Sequence, residues 1–174
     1  MHRRIRRVST MDVGLEHIGE EAMSEDGDEK PRYLTHQDPI WRDKANYILM
    51  AHVEDDLEQL WTQEISESTF MICCIPFFIY DVALGDIVEA VNNRVTRVIE
   101  RSGRYVFRVW LSPEGELEIV KIVQKLYEHG ALVERSSRRM FAIDASNEAV
   151  ATEIRQVLEK MQAEGLFEYE TGWL

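Results

Sequence analysis

The chain has 174 residues, of which 45% are hydrophobic, and its formal net charge is -12. This length suits one domain or two small ones, and the apolar content can form a core without disulfide bonds. The negative charge disfavours nucleic-acid binding, because phosphate contacts need a basic surface, and no apolar run reaches the roughly 18 residues of a membrane helix.

Residues 1–40 differ in composition from the rest of the chain. Residues 11–40 hold nine acidic and two basic residues and show no sustained apolar period. Such a segment cannot bury enough apolar surface to offset the entropy lost on ordering. We therefore predict a mostly disordered acidic N-terminal segment. The arginines near Met1 are not followed by an apolar run, so no secretory signal peptide is predicted.

Short strands are predicted throughout residues 41–103. The expected strands are 45–53, 60–65, 69–75 with a continuation through 77–80, 86–91 and 94–100. Asn92 and Asn93 are typical of a tight hairpin turn, and Leu84-Gly85-Asp86 forms a second predicted turn. Strands at this spacing favour a small antiparallel β-module, either a curled sheet or a partial barrel.

Residues 104–174 follow a different rhythm. The expected elements are a strand at 105–111, a helix from Ser112 to Gly130, a hairpin of 131–135 with 139–144, a helix at 148–163 and a strand at 166–173. Ser112 is a good helix cap and Gly130 a good helix stop, and both helices carry apolar residues at helical spacing. The order βαββαβ is that of the ferredoxin-like pattern. The predicted class is thus α+β, with a ferredoxin-like half after the β-module.

Three segments carry a resemblance to a known family. They are Cys74-Ile75-Pro76-Phe77-Phe78, Leu84-Gly85-Asp86 and the strand 105–111, with a weaker echo at 140–144. Across roughly residues 41–174 the chain resembles a family of small uncharacterised bacterial proteins, known only as a domain of unknown function. The resemblance implies membership and brings no mechanism or site residue with it.

Cys73 and Cys74 are the two cysteines of the chain. Neighbours in a strand point to opposite faces and cannot easily form a disulfide, which favours a reducing, cytoplasmic location. They lack the spacing of a zinc site, and a nucleophilic cysteine needs a base, for which the predicted folded part offers His52 and His129. Buried packing is the favoured interpretation. No metal and no cofactor are expected.

Asp81, Asp86 and Arg108 are the candidate binding residues. The two aspartates flank a predicted exposed turn, where they either bind a ligand or bond their own backbone. Arg108 lies in the middle of a strand, where it is either an anion-binding fork on an open face or a buried ion pair with Glu134 or Asp144. No residue is assigned a catalytic role.

Arg135, Arg138 and Arg139 form the one basic patch of the predicted folded part. A solvated hairpin tip is favoured over a phosphate site. The segment lacks the glycine-rich aromatic motif of RNA-binding proteins with this topology.

The function expected from these features is a non-catalytic, cytoplasmic binding protein with a protein partner. A concrete form is an immunity-type inhibitor that covers a basic protein. The alternative is a small-molecule sensor with its ligand at the strand edges and the Gly85 turn. An enzyme that uses Asp81, Asp86 or His52 is a third hypothesis, which the absence of common catalytic motifs disfavours. The sequence gives no oligomeric state, and neither nucleic acid nor membrane is an expected partner.

Overall fold

The computed structural model describes residues 31–172, which belong to one compact unit that begins at Pro31. The unit combines a sheet of six strands, five of which close into a barrel, with a second sheet of four strands and three α-helices. The mixed class of helices and strands, with a small β-module before a helix-containing half, is confirmed. The predicted boundary between residues 103 and 104 falls in the link between the two sheets.

The first sheet has six strands. They are β1 (Tyr33–Leu34), β2 (Tyr47–Val53), β3 (Asp56–Ser66), β4 (Thr69–Ile72), β5 (Ile87–Val91) and β6 (Arg94–Glu100). Strands β2 to β6 pair antiparallel in sequence order, and a parallel contact of Met50 with Arg94 closes them into a barrel. Leu49, Leu60 and Phe70 lie buried in its core. Closure pairs the strands with one another and protects their edges.

Both predicted turns of the β-module are present. Asn92 and Asn93 adopt φ angles of 51° and 65°, the left-handed values that a two-residue type I′ hairpin turn requires. Gly85 has a φ angle of 82°, and its N–H donates to the carbonyl of Ile72 at 2.9 Å. The residue types therefore match the backbone that they must adopt.

The second sheet carries the helices. Its elements are β7 (Tyr105–Leu111), α1 (Pro113–Leu117), α2 (Ile119–Glu128), β8 (Leu132–Arg135), β9 (Met140–Ala145), α3 (Glu148–Ala163) and β10 (Phe167–Thr171). The strand order is β10-β7-β9-β8, and all neighbours are antiparallel. Phe107, Phe141 and Ile143 on one face of the sheet pack against Leu126 of α2 and Ile154 of α3.

The helices begin where capping residues lie. The Ser112 Oγ accepts from the N–H of Gly115 at 3.0 Å, and the Asn147 side chain accepts from the N–H of Val150 at 3.1 Å. The first predicted helix is broken in two at Glu118, the residue between α1 and α2. A side chain at Gly115 would collide with the carbonyl oxygen of Leu166, 1.8 Å from the added Cβ. The absence of a side chain at Gly115 therefore lets α1 pack directly against the backbone of Leu166, just before β10.

The other face of the second sheet holds three buried charges. Arg108 of β7, Glu134 of β8 and Asp144 of β9 are each at most 3% exposed. In the register of the sheet, Ala142 of β9 stands opposite both Arg108 and Glu134. Each charge needs a partner, because an unpaired buried charge is very costly.

The segment from residue 73 to residue 86 lies against this face, and we call it the buried loop. It was predicted to continue the strand through 77–80, but β4 ends at Ile72 and the segment is irregular. Ile75, Phe77 and Leu84 are fully buried and pack in one cluster with Ala142 of β9. Pro76 lacks the N–H that a strand ladder needs, so the loop leaves the barrel and fills the space between the two sheets.

The start of the described chain corrects a second prediction. Residues 31–40 were placed in the disordered segment, yet Tyr33 and Leu34 pair with Leu57 and Glu58 of β3, and His36 is buried. Pairing along β3 and the ionic contacts of His36 hold this stretch, although its composition is polar. The prediction for residues 1–30 lies outside the described residues.

Candidate functional site

A histidine lies buried between two carboxylates, one from each sheet. His36, Glu58 of β3 and Glu134 of β8 are 3%, 0% and 3% exposed, and we call them the carboxylate bridge. The His36 Nε2 lies 3.1 Å from the Glu58 Oε1, and the His36 Nδ1 contacts the Glu134 Oε1. The imidazole ring stacks on Phe77 with 4.0 Å between centroids. The bridge therefore joins the N-terminal segment, the barrel and the second sheet.

Glu58 also binds the backbone of the buried loop. Its oxygens accept from the N–H groups of Phe77, Phe78 and Ile79 at 2.6, 3.0 and 2.9 Å. Buried backbone N–H groups need acceptors, and an irregular loop has no strand ladder to supply them. One carboxylate thus replaces the partners that three consecutive residues would find in a sheet.

Glu134 acts in the same way from the opposite side. Its Oε2 accepts from the N–H of Ile75 at 2.9 Å and from that of Ile40 at 3.3 Å. The first bond fixes the buried loop and the second fixes the N-terminal segment. Both carboxylates are therefore occupied by hydrogen bonds inside the protein.

The pKa values fit a charged histidine between ionised carboxylates. Burial by itself lowers the pKa of His36, but contacts with Cys74, Glu134 and Glu58 raise it from 6.5 to about 12. Burial opposes ionisation of Glu58, yet its hydrogen bond to His36 and the loop N–H groups lower its pKa. Burial also raises the pKa of the Cys74 thiol. We therefore infer that the carboxylates, and not a thiolate, stabilise the positive charge on His36.

Cys73 and Cys74 are free and buried, as expected from their packing role. Burial raises the pKa of Cys73 to about 11 and also raises that of Cys74. The prediction that His52 and His129 are the only histidines of the folded part is wrong, since His36 is buried there, and an interaction with Cys74 contributes to its raised pKa. Cysteine, histidine and glutamate thus meet as in a thiol enzyme, but Cys74 is 0% exposed and its thiol stays protonated.

The predicted site residues Asp81 and Asp86 flank a turn that is packed rather than open. Asp86 is 1% exposed and accepts from the N–H groups of Ala83 at 3.0 Å and Ser102 at 2.7 Å. Asp81 is half-buried with a φ angle of 59°, and its N–H donates to Gly172. This correction favours the structural role of Asp86, because its oxygens already serve the turn. A binding role for either aspartate stays a prediction.

Arg108 forms a buried ion pair, but with a different partner from those predicted. Its guanidinium lies 3.2 Å from the Glu170 Oε1, donates to the Ile79 carbonyl and stands 4.3 Å from the Tyr80 ring centre. The Tyr80 hydroxyl donates to the same Glu170 oxygen at 2.7 Å. Within residues 31–172, the Arg108 Nε has no hydrogen-bond acceptor. We call Arg108, Tyr80 and Glu170 the edge contact. A binding role for Arg108 stays a prediction.

Glu134 and Asp144, the two partners that were predicted for Arg108, bind other groups. Glu134 belongs to the carboxylate bridge, and Asp144 receives the Arg104 Nε at 2.8 Å. The arginines of the predicted basic hairpin tip also bind groups within the protein. The Arg139 guanidinium donates to the Leu111 carbonyl at 2.9 and 3.1 Å, and Arg138 contacts Glu116.

Two open hollows lie elsewhere on the surface. One, of about 450 Å³, is lined by Ala45, Asn46, Tyr47, Ile48, Trp61 and Asn93 on the barrel. The other, of about 360 Å³, is lined by Ile119, Val120, Val123, Gln124, Tyr127 and Arg135 beside α2. Neither contains Asp81, Asp86 or Arg108, so the predicted residues do not meet in either of these hollows.

Two further searches cover the described part of the chain. Between residues 31 and 172, no three histidine, cysteine or acidic side chains converge in a way that could hold a metal ion. No helix in that range combines the length and the apolar character needed to cross a membrane.

Comparisons with known proteins give a family match and a similar fold. Residues 58–169 match the family model described as "Domain of unknown function (DUF4265)". A solved structure, of a hypothetical protein from Neisseria gonorrhoeae, is 17% identical with a TM-score of 0.57 and covers 71% of this chain and 91% of that one. At this identity the likeness concerns the fold alone. No curated protein matches the chain.

Proposed function

This chain belongs to the DUF4265 family of domains of unknown function, and from that premise we propose that it is a non-catalytic binding protein of the bacterial cytoplasm. A concrete form of the proposal is an immunity-type inhibitor that covers a basic protein partner. The observation that carries the proposal is the enclosure of the carboxylate bridge and Cys74. The groups best suited to chemistry are at most 3% exposed and hold the fold together.

The chemistry of the partner follows from the exposed charges. The chain carries a net charge of -12, and α3 with the start of β10 exposes five carboxylates beside two basic side chains. The carboxylates are those of Glu148, Glu153, Glu159, Glu164 and Glu168, and the basic residues are Arg155 and Lys160. A surface with an excess of negative charge favours a partner of the opposite sign and speeds its association. We name these five carboxylates the acidic surface.

The finer description of the second half is part of the proposal. The element order β, α, β, β, α, β, with the first helix divided, and the strand order β10-β7-β9-β8 support a ferredoxin-like architecture. That architecture hosts many unrelated functions, so the argument for binding depends on the surface and not on the fold.

Affinity capture from the native bacterium tests the role. The tagged full-length chain should retain a basic protein at low salt and release it as the salt concentration rises, because salt screens exposed charges. Replacing Glu153, Glu159 and Glu164 with glutamine should reduce capture. The matched control replaces Glu54, Glu64 and Glu67, which are exposed carboxylates of the barrel. Failure to retain any protein partner would contradict the proposal.

A second assay separates inhibition from simple binding. If the captured partner arrests growth when it is expressed alone, co-expression of the wild-type chain should restore growth. The triple variant of the acidic surface should restore it less well than the barrel control does. Equal protection by both variants would exclude the acidic surface as the inhibitory face.

A small-molecule sensor is the second candidate, and the hollow of about 450 Å³ beside Trp61 and Tyr47 favours it. The Gly85 turn predicted to line the ligand site does not fit this role, since Trp41 and Ser102 pack against it. Thermal unfolding with a metabolite library tests the idea. A ligand at 100 times its Kd adds about 2.7 kcal/mol of stability, and no shift with any compound would count against a sensor.

The enzyme hypothesis depends on Asp81, Asp86 or His52 and loses support. Asp86 is buried within its own turn, and His52 lies exposed on β2 beside Arg94. The described hollows bring none of these residues together with Arg108.

A further inference from the structure

The contact that closes the barrel between β2 and β6 is short. In the range that the structure describes, residues 31–172, Met50 is the one residue of β2 that pairs with β6, where it stands opposite Arg94. Its N–H donates to the carbonyl of Asn93 at 2.9 Å. Strand β6 begins at Arg94, so it does not extend along the part of β2 that precedes Met50. That part of β2 pairs with β3 on its other side.

Ile48 directs its backbone polar groups into the gap that this leaves. In an antiparallel pair, every second residue of a strand turns its N–H and C=O away from the partner strand. Met50 turns its N–H away from β3 toward Asn93, so Ile48, two residues earlier, turns its N–H and carbonyl to the same side. No strand of the described part of the chain pairs with Ile48 there. An unpaired strand edge is a template on which a further strand can form.

An apolar hollow adjoins these backbone groups. The hollow of about 450 Å³ is lined by Ile48 and, across the gap, by Asn93, and it extends over Tyr47 and Trp61. Trp61 of β3 stands opposite Ile48 in the register of the sheet, and Tyr47 is 40% exposed. One place on the barrel therefore offers large apolar side chains beside a backbone donor and a backbone acceptor.

This combination identifies the occupant. An extended chain supplies a C=O and an N–H at strand spacing, and every second side chain lies on the same face. Segments that add to a free sheet edge gain affinity from backbone hydrogen bonds and specificity from a pocket for a side chain. We propose that the edge of β2 at Ile48 binds an extended segment of a partner protein, which adds as a short strand and places one large apolar side chain in the hollow.

The site belongs to the barrel, whereas the acidic surface belongs to α3 and β10. The inference therefore goes beyond the proposed function and does not depend on it. It also gives the hollow a peptide as its ligand, in place of the metabolite of the sensor hypothesis.

A peptide with single backbone N-methyl groups tests the strand contact. Selection from a phage-displayed library of random heptapeptides on the full-length chain supplies the probe, and the selected peptides should share one large apolar residue. Methylation of the one nitrogen that donates to the Ile48 carbonyl should raise the peptide Kd about tenfold, because it removes a hydrogen bond. Methylation of either neighbouring nitrogen should change the Kd less than about twofold, since those N–H groups point away from β2.

Two results would overturn the proposal. The first is a peptide with equal sensitivity to methylation at successive nitrogens, because such a peptide does not bind as a strand. The second is a selection that returns no peptide. Thermal stabilisation by a metabolite in that second case would assign the hollow to a sensor instead.

Variants of the edge locate the peptide on the chain. Ile48→Pro removes the N–H that faces the gap and leaves the hydrogen bonds between β2 and β3, so the peptide Kd from isothermal titration calorimetry should rise about tenfold or more. Ile48→Val keeps the N–H and is the matched control, with a Kd within about twofold of the wild type. Circular dichroism checks that both variants keep the fold.

A second variant keeps the test decisive if the proline form does not fold. Ala45→Trp fills the hollow and should also weaken the peptide about tenfold or more, since the apolar side chain of the peptide loses its place. Its control is Ile99→Trp, because Ile99 is a 43% exposed residue of β6 that does not line the hollow. Wild-type affinity in Ala45→Trp, or in a folded Ile48→Pro, would place the peptide elsewhere and refute the proposal.

Discussion

The carboxylate bridge and the edge contact both hold the buried loop, but they differ in enclosure. In the bridge, Glu58 is 0% exposed and meets a charged histidine and three loop N–H groups. In the edge contact, the Glu170 side chain is 34% exposed, so water can replace part of what Arg108 would lose. A buried charge that loses its partner is far more costly than an exposed one. We therefore expect folding to depend more strongly on the carboxylate bridge than on the edge contact.

The largest effect is expected at the centre of the bridge. Glu58→Leu leaves three buried N–H groups and the charged His36 without their acceptor, so unfolding by urea should show a loss of about 3–5 kcal/mol. Glu58→Gln keeps an acceptor oxygen and should lose less, which gives a measurable variant if the leucine form does not fold. Glu64→Leu, an exposed change on the same strand, is the control. A loss below about 1 kcal/mol for Glu58→Leu would refute the structural role of the bridge.

The pH dependence of stability should depend on His36. Its pKa rises well above 6.5 on folding, so its stabilisation is complete below pH 6.5 and decreases as the pH rises above that value. Between pH 6.5 and 8.5 the wild type should lose up to about 1.4 kcal/mol per pH unit relative to His36→Gln. Urea unfolding of both proteins across this range measures the difference. Parallel profiles would mean that His36 is not charged in the folded protein.

The edge contact should show a smaller loss. Glu170→Ala removes the carboxylate of a pair that is partly open to water, and the Ile79 carbonyl and the Tyr80 ring still receive Arg108. We expect a loss of about 2 kcal/mol from urea unfolding, because the buried Arg108 loses a charged partner while water can reach the place that Glu170 leaves. Glu168→Ala, which removes an exposed carboxylate from the same strand, is the control and should change little. If Glu170→Ala cost as much as Glu58→Leu, the distinction between the two sites would be wrong.

A surface pair, in which the Arg97 side chain is 63% exposed and the Glu89 side chain 32% exposed, sets the lower end of the comparison. Arg97 lies 2.8 Å from Glu89 on neighbouring strands of the barrel, and the hydrogen bond with Arg97 lowers the pKa of Glu89. Solvent and salt screen such a pair. Glu89→Gln should therefore leave the urea unfolding midpoint unchanged within error. A clear shift would show that geometry matters more than enclosure in this protein.

The regular elements were predictable from the chain because their signals are local. The helix at 148–163 was predicted with the bounds that the structure gives it, since its apolar stripe recurs at helical spacing. The Asn92-Asn93 turn was predicted because few residues tolerate left-handed backbone angles. In both cases the residues that decide the structure lie within a few positions of one another.

The carboxylate bridge was not predictable in the same way. His36 meets Glu58 across 22 positions and Glu134 across 98, and composition placed His36 in a disordered segment. A signal was nevertheless present, since Glu58 alternates with Leu60 and Thr62 on the inward side of β3. A charged residue at an inward position requires a partner, but the sequence alone does not say which one.

The buried loop misled the prediction for a related reason. Its apolar run with Cys73 and Cys74 has the composition of a strand, and Pro76 is compatible with the edge or the end of one. What prevents a strand is the supply of acceptors from Glu58, Glu134 and Asp86, all of them side chains outside the apolar run or at its end. Because these carboxylates replace the hydrogen bonds of a neighbouring strand, the loop sequence itself has no periodic pattern that would predict its conformation.

The position of His36 has a practical consequence for fragments of this protein. The family match begins at Glu58 and ends at residue 169, so a fragment cut to that range would keep both glutamates and discard the cation between them. Two like charges would then share one dry interior, and one of them would have to take up a proton. Such a fragment should express poorly at neutral pH.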